Sequence, residues 1–124
     1  MKNFNIKDAI AVLNRRALHT SAHACAKYVR IALEGGGIDT KIHPGVANLY
    51  GPYLIRWGFK AVSDVSYVPI AGDIRVFQPY VGGNPAGHID MYNGTQWVSD
   101  FKEKNFWPGR GYQDNKASFK IFRW

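Results

Sequence analysis

GHIDMYNGTQWVSD, residues 87–100, sets the fold class of this chain. Two short runs rich in Ile, Met, Tyr, Trp and Val flank Asn93-Gly94, the strongest short hairpin signal a sequence can carry. Strict alternation in the first run places His88, Asp90 and Tyr92 on one face and Ile89, Met91 and Asn93 on the other. Working outward, DIRVFQPY (73–80) and SFKIFRW (118–124) have the same character, apolar and aromatic with Gly, Pro and Asn between them. The second half is therefore predicted to be an antiparallel meander, with the 95–101 run, TQWVSDF, as one full strand.

Before Gly58 the apolar period is that of a helix. Ile6, Ala9, Ile10, Leu13 and Ala17 form one stripe, with Lys7, Asn14 and Arg15 mostly off it. A second helix is expected to start under a Thr20 or Ser21 cap and to run through Leu33 to the stop at Gly35, Gly36 and Gly37. ANLYGPYLIRWGF (47–59) reads as a third, shorter helix, with Pro52 near its start and Gly58 ending it. Helices followed by strands give an α+β domain, with N-terminal helices packed on one side of a curled antiparallel β-sheet.

A chain of 124 residues with 46% hydrophobic content fits one core, and residues 1–124 are read as a single domain. One cysteine excludes an internal disulfide and any multi-cysteine zinc site. Charged residues interrupt every apolar stretch, so neither a signal peptide nor a membrane span is expected, and the chain reads as a soluble protein made in the cytoplasm. The net charge of +7 favours an anionic partner, but its cations are spread from Lys2 to Arg123 with no run longer than Arg15-Arg16.

Cys25 admits two readings. It shares a helical face with Val29, Ala32 and Leu33, as a small buried hydrophobe would. It also stands in the first turn of its helix, where the dipole and unpaired amides favour a thiolate and can stabilise an oxyanion. A nucleophile needs a base, and histidine is suited to that near neutral pH. His19 and His23 flank the expected cap, with His23 exposed on the first turn. His43, before Pro44 and Gly45, is a loop residue, and His88 opens a strand after Ala86 and Gly87. An isolated strand histidine has a structural reading too, which only pairing with Cys25 would displace.

The order of a cysteine at a helix start, then PIAGDIRVF (69–77), then GHIDMYNGTQWVSD resembles the papain-like NlpC/P60 and CHAP superfamily of peptidoglycan hydrolases. GPYLIRWGF (51–59) is similar to the Gly-Pro helix of small amidase effectors delivered by type VI secretion systems. The sequence departs from many members in having SAHA (21–24) before the cysteine, without the Asp common there or a Gly-x-Cys form.

The resemblance implies a papain-like fold and a peptidoglycan amidase or endopeptidase that cuts a stem-peptide amide through a thioester. In that scheme Cys25 is the nucleophile and His88 the general base. Asp100, across the hairpin, is the carboxylate that orients the imidazole, with Asp90 competing for the role. It implies no metal and no cofactor. It implies as partners peptidoglycan and an immunity protein occluding the active site, with neither nucleic acid nor membrane insertion, and action in the periplasm or wall of a target bacterium after export. Two other classes remain open. One is a non-catalytic basic module that binds nucleic acid or wall polymer, with Cys25 in the core. The other is a cysteine deamidase or transglutaminase acting on proteins. Phe106, Trp107 and Tyr112 either line a substrate groove or cover the sheet.

Overall fold

The computed structural model describes residues 3–124. Helix α1 (Ile6–Arg16) begins where the Asn5 side chain accepts the Asp8 amide at 3.0 Å, and it buries Ala9 and Leu13. Helix α2 (Cys25–Gly35) buries Val29, Ala32 and Leu33. The two helices meet closely at the glycines that end α2, since a Cβ at Gly35 would overlap Val12 and one at Gly36 would overlap Phe4. A 3-10 turn (Ala47–Leu49) leads into α3 (Tyr50–Trp57), which ends at Gly58 with φ +116°, a left-handed cap open to glycine.

Five antiparallel strands follow, β1 (Lys60–Val62), β2 (Ile74–Phe77), β3 (His88–Tyr92), β4 (Trp97–Val98) and β5 (Phe119–Arg123). They lie in the order β1-β5-β2-β3-β4, so the sheet is not a simple meander. The last strand inserts between the first two, pairing Ala61 with Phe122 and Val76 with Lys120. The α+β expectation holds, with the N-terminal helices α1, α2 and α3 on one face of this sheet.

The register sorts side chains onto two faces. Ile74, Val76, Ile89, Met91, Val98 and Phe122 join Leu13, Val29, Leu33, Tyr50 and Leu54 in the helix-side core. Each fully buried aliphatic side chain there contributes about 1.5–3 kcal/mol of transfer free energy. The opposite face carries Arg75 paired with Asp90 and Phe77 paired with His88. The segment between β4 and β5, which includes the short helix α4 (Arg110–Asp114), covers it. Phe106, Trp107 and Tyr112 all pack there, each against Phe77 or Phe119.

The hairpin differs from expectation in two ways. Asn93 N–H donates to the Gln96 carbonyl at 3.0 Å, so Gly94 (φ +106°) and Thr95 form the tip, one residue later than Asn93-Gly94. Strand β4 also stops at Val98. The chain doubles back, bridging Val98 with Lys102, while Leu18 N–H donates to the Asp100 carbonyl at 2.8 Å and ties the bend to the end of α1.

Candidate active site

Cys25 is the first residue of α2, partly exposed, packed against the core on one side and lining a cavity of about 590 Å³ on the other. Among the described residues no side chain caps α2. The Ser21 hydroxyl instead accepts the His23 amide at 3.2 Å, and His23 takes a left-handed φ of +58° to turn the chain into the helix. The amides of Cys25, Ala26 and Lys27 donate to no acceptor among the described residues, as helix geometry dictates for a first turn. All three residues line the cavity.

His88 lines the same cavity from the start of β3. Gly87 before it has φ +70°, and a Cβ there would strike the Phe77 carbonyl oxygen and crowd Asn48. Glycine is therefore required to bring the strand in at this angle. Gly87→Ala is expected to cost on the order of 1–3 kcal/mol and to lower any activity that depends on His88, measured as denaturant midpoint and turnover. An unchanged midpoint would show that the strand start yields without strain.

The imidazole Nε2 is 2.8 Å from the Glu103 carboxylate and 3.5 Å from that of Asp90. Asp90 is engaged first by Arg75, whose Nε and Nη2 donate to its two oxygens at 3.0 and 2.7 Å. The Arg75 side chain is wholly buried, donates also to the Phe106 carbonyl at 2.8 Å, and has the Trp97 ring 3.9 Å away. His88, Asp90 and Glu103 present donor atoms within 4.8 Å of one another, yet this is not a vacant cation site, because the guanidinium already neutralises Asp90.

Burial would lower the His88 pKa, but hydrogen bonding to Asp90, Cys25 and Glu103 outweighs it and holds the imidazole well above its ordinary 6.5. Burial, and then the Asp90 charge, pushes Glu103 up to about 8. Asp90 moves the other way, since the Arg75 charge overcomes its burial and depresses it below the usual carboxylate range. The stability this pair supplies is present above the unfolded value of 3.8 and is lost as pH falls below it. Nε2 is thus the nitrogen held by Glu103, and Nδ1 makes no hydrogen bond among the described residues.

The geometry corrects the expectation for Asp100. One of its carboxylate oxygens accepts the amides of Ala22 and Ala24 at 2.7 and 3.0 Å, and the other accepts the Ser99 hydroxyl at 3.2 Å. It therefore braces the turn leading into Cys25 and does not touch the imidazole. The β3–β4 register would set Phe101 opposite His88 if β4 continued, but β4 ends before that point. Asp90 approaches Nε2 only at the longer distance, and Glu103 takes the direct bond. Within KEK (102–104), Glu103 looks like a solvated charge, although only the flanking lysines are exposed. The signal that could have found it is that alternation.

Asp73 of the Gly-Asp motif lies outside the cavity. It accepts Arg123 at 2.9 and 2.8 Å, the Tyr67 hydroxyl at 2.6 Å and the Ile70 amide at 3.0 Å, anchoring the preceding loop to β5. Of the aromatic trio, Tyr112 reaches the cavity and lies 6.0 Å from the His88 ring, while Phe106 and Trp107 cover the sheet. His23 and His43 line the cavity wall.

No protein-family model matches this chain, and no curated protein does. Two solved structures do. One is the crystal structure of the type VI native effector-immunity complex Tae3-Tai3 from Ralstonia pickettii, in which the matching chain is 35% identical, with a TM-score of 0.89 over 98% of this chain and 99% of its own. The other is the SeMet effector-immunity complex Tae3-Tai3 from the same organism, at 36% identity and a TM-score of 0.84 over 93% of this chain and 98% of the other.

Proposed function

This chain belongs to the Tae3 family of type VI effectors, and from that premise we propose that it is a peptidoglycan amidase of the papain-like cysteine class, with residues 1–124 forming one catalytic domain. The observation that carries the reading is the meeting of Cys25 and His88 in one cavity, with Nε2 committed to Glu103 and Nδ1 free for the thiol.

Nδ1 takes the proton of Cys25, and the thiolate attacks the carbonyl carbon of a stem-peptide amide. The unpaired first-turn amides of α2 receive the developing oxyanion. The imidazolium returns its proton to the leaving amine as the C–N bond breaks and a thioester remains. Water, deprotonated by the same imidazole, then releases the acyl product. Glu103 keeps the ring oriented and stabilises its charge, and Asp100 fixes the loop that carries Cys25.

Membership in an effector family supports action on the wall of a target bacterium after export, and the effector-immunity complexes of its relatives support an immunity protein as partner, which in this reading occludes the cavity. The basic surface holds the enzyme on an anionic polymer. Digestion of purified sacculi followed by mass analysis of the muropeptides tests the reading. New fragments from hydrolysis of one stem-peptide amide are expected. Intact sacculi, with deamidation or transfer on a protein substrate in their place, would assign the same residues to another acyl acceptor.

A further inference from the structure

We propose that Lys27 and Arg30 form a carboxylate subsite beside Cys25, so that the substrate is an acidic peptide with a free carboxylate close to the amide that is cut. The inference deepens the reading above and rests on Cys25 marking the reacting end of the cavity.

Among the described residues lining that cavity there is no Asp or Glu, whereas Lys27, Arg30, His23 and His43 all face it. Lys27 and Arg30 are three residues apart on α2, hence neighbours on one helical face. Like charges so placed repel one another, and an anion between them removes the repulsion. Neither has a carboxylate within salt-bridge distance among the described residues, although other basic side chains, such as Arg75 and Arg123, are paired.

Arg30 is also held in place. It is half-buried and donates from Nη1 to the hydroxyl of fully buried Tyr50 at 3.3 Å. That bond uses one donor and leaves the rest of the planar fork, which matches a carboxylate in two parallel hydrogen bonds. Arg30 lies five positions after Cys25 on the helix, about 7.5 Å along the axis at 1.5 Å per residue. Extended peptide advances about 3.3 Å per residue. The carboxylate therefore belongs to the side chain of an adjoining residue or to a terminus roughly two residues from the scissile bond.

The probe is a synthetic stem tetrapeptide and the same peptide with every carboxyl converted to carboxamide. Binding to the Cys25→Ala protein, measured by calorimetry, is expected to favour the acidic form about tenfold. The preference should fall toward one when Arg30→Gln is added, decline partly with Lys27→Gln, and partly return with Arg30→Lys. Gln keeps a donor for Tyr50, and Lys27 is exposed, so at least one variant retains the fold. With active protein, the acid-to-amide ratio of kcat/KM should follow the same order. If the cations serve only the thiolate, both peptides slow equally and the ratio stays fixed, which overturns the subsite. If neither peptide is hydrolysed but the binding preference depends on Arg30, the subsite stands and the proposed reaction fails.

Discussion

Cys25→Ala is expected to abolish sacculus digestion to the level of buffer alone while leaving a folded protein. The covalent route passes through the sulfur, and alanine offers no nucleophile in its place. The structural cost is small, because Cys25 is partly exposed at the first position of α2, and losing one sulfur there changes stability by about 1 kcal/mol or less. Alanine also suits a helix, and the Asp100 brace on Ala22 and Ala24 does not involve the thiol. Circular dichroism and the denaturant midpoint report the fold, and release of soluble muropeptides reports the activity. Iodoacetamide should inactivate the wild-type protein in step with alkylation of Cys25. A tenth of the wild-type rate surviving in Cys25→Ala would remove the sulfur from the mechanism and return Cys25 to a packing role.

The readings that held are those in which local pattern and tertiary fate agree. The stripe from Ile6 to Ala17 is helical because its buried members, Ala9 and Leu13, face α2, and α2 stops where glycines permit close contact with α1. Strands β2 and β3 were legible as apolar runs. Their inner sets, Ile74 with Val76 and Ile89 with Met91, fall on the helix side as alternation requires.

The errors arise where distant parts of the chain decide. TQWVSDF (95–101) has the Trp, Val and Phe content of a strand, yet the chain bends after Val98 because Asp100 is drawn to the amides of Ala22 and Ala24, more than seventy positions away. Those contacts also hold the turn before Cys25, so α2 starts later than a Thr20 or Ser21 cap would set it and its first-turn amides stay unpaired. The three-residue edge strand β1 and the five-residue helix α4 are too short for any period to register. Arg75 interrupts an otherwise apolar strand, and only the pairing of β2 with β3 reveals Asp90 as its partner. Once that pair is closed, Glu103 is the carboxylate left for His88.

Glu103 is therefore expected to be the positioning residue, and its replacement separates charge from shape. Glu103→Gln preserves size and can still hydrogen-bond Nε2, but it removes the anion that stabilises imidazolium. We expect kcat/KM to fall on the order of 10²–10⁴-fold, and further in Glu103→Ala. The pH profile carries the sign. Glu103 is among the groups that hold the His88 pKa up, so its loss lowers that pKa, and the alkaline limb of kcat/KM should move to lower pH. A purely structural role would reduce stability and leave the limb where it was. Asp90→Asn should behave differently, because it strips the buried Arg75 of its bidentate carboxylate and leaves it only Glu103, at 3.6 Å, at a cost of about 3–5 kcal/mol, so instability precedes any effect on rate. Asp100→Asn weakens the brace under Cys25 without touching the imidazole, and should shift the denaturant midpoint with the alkaline limb unmoved. Wild-type turnover in Glu103→Gln, beside a folded but inactive Asp100→Asn protein, would hand the orienting role back to Asp100 and require the 99–103 bend to rearrange when substrate binds.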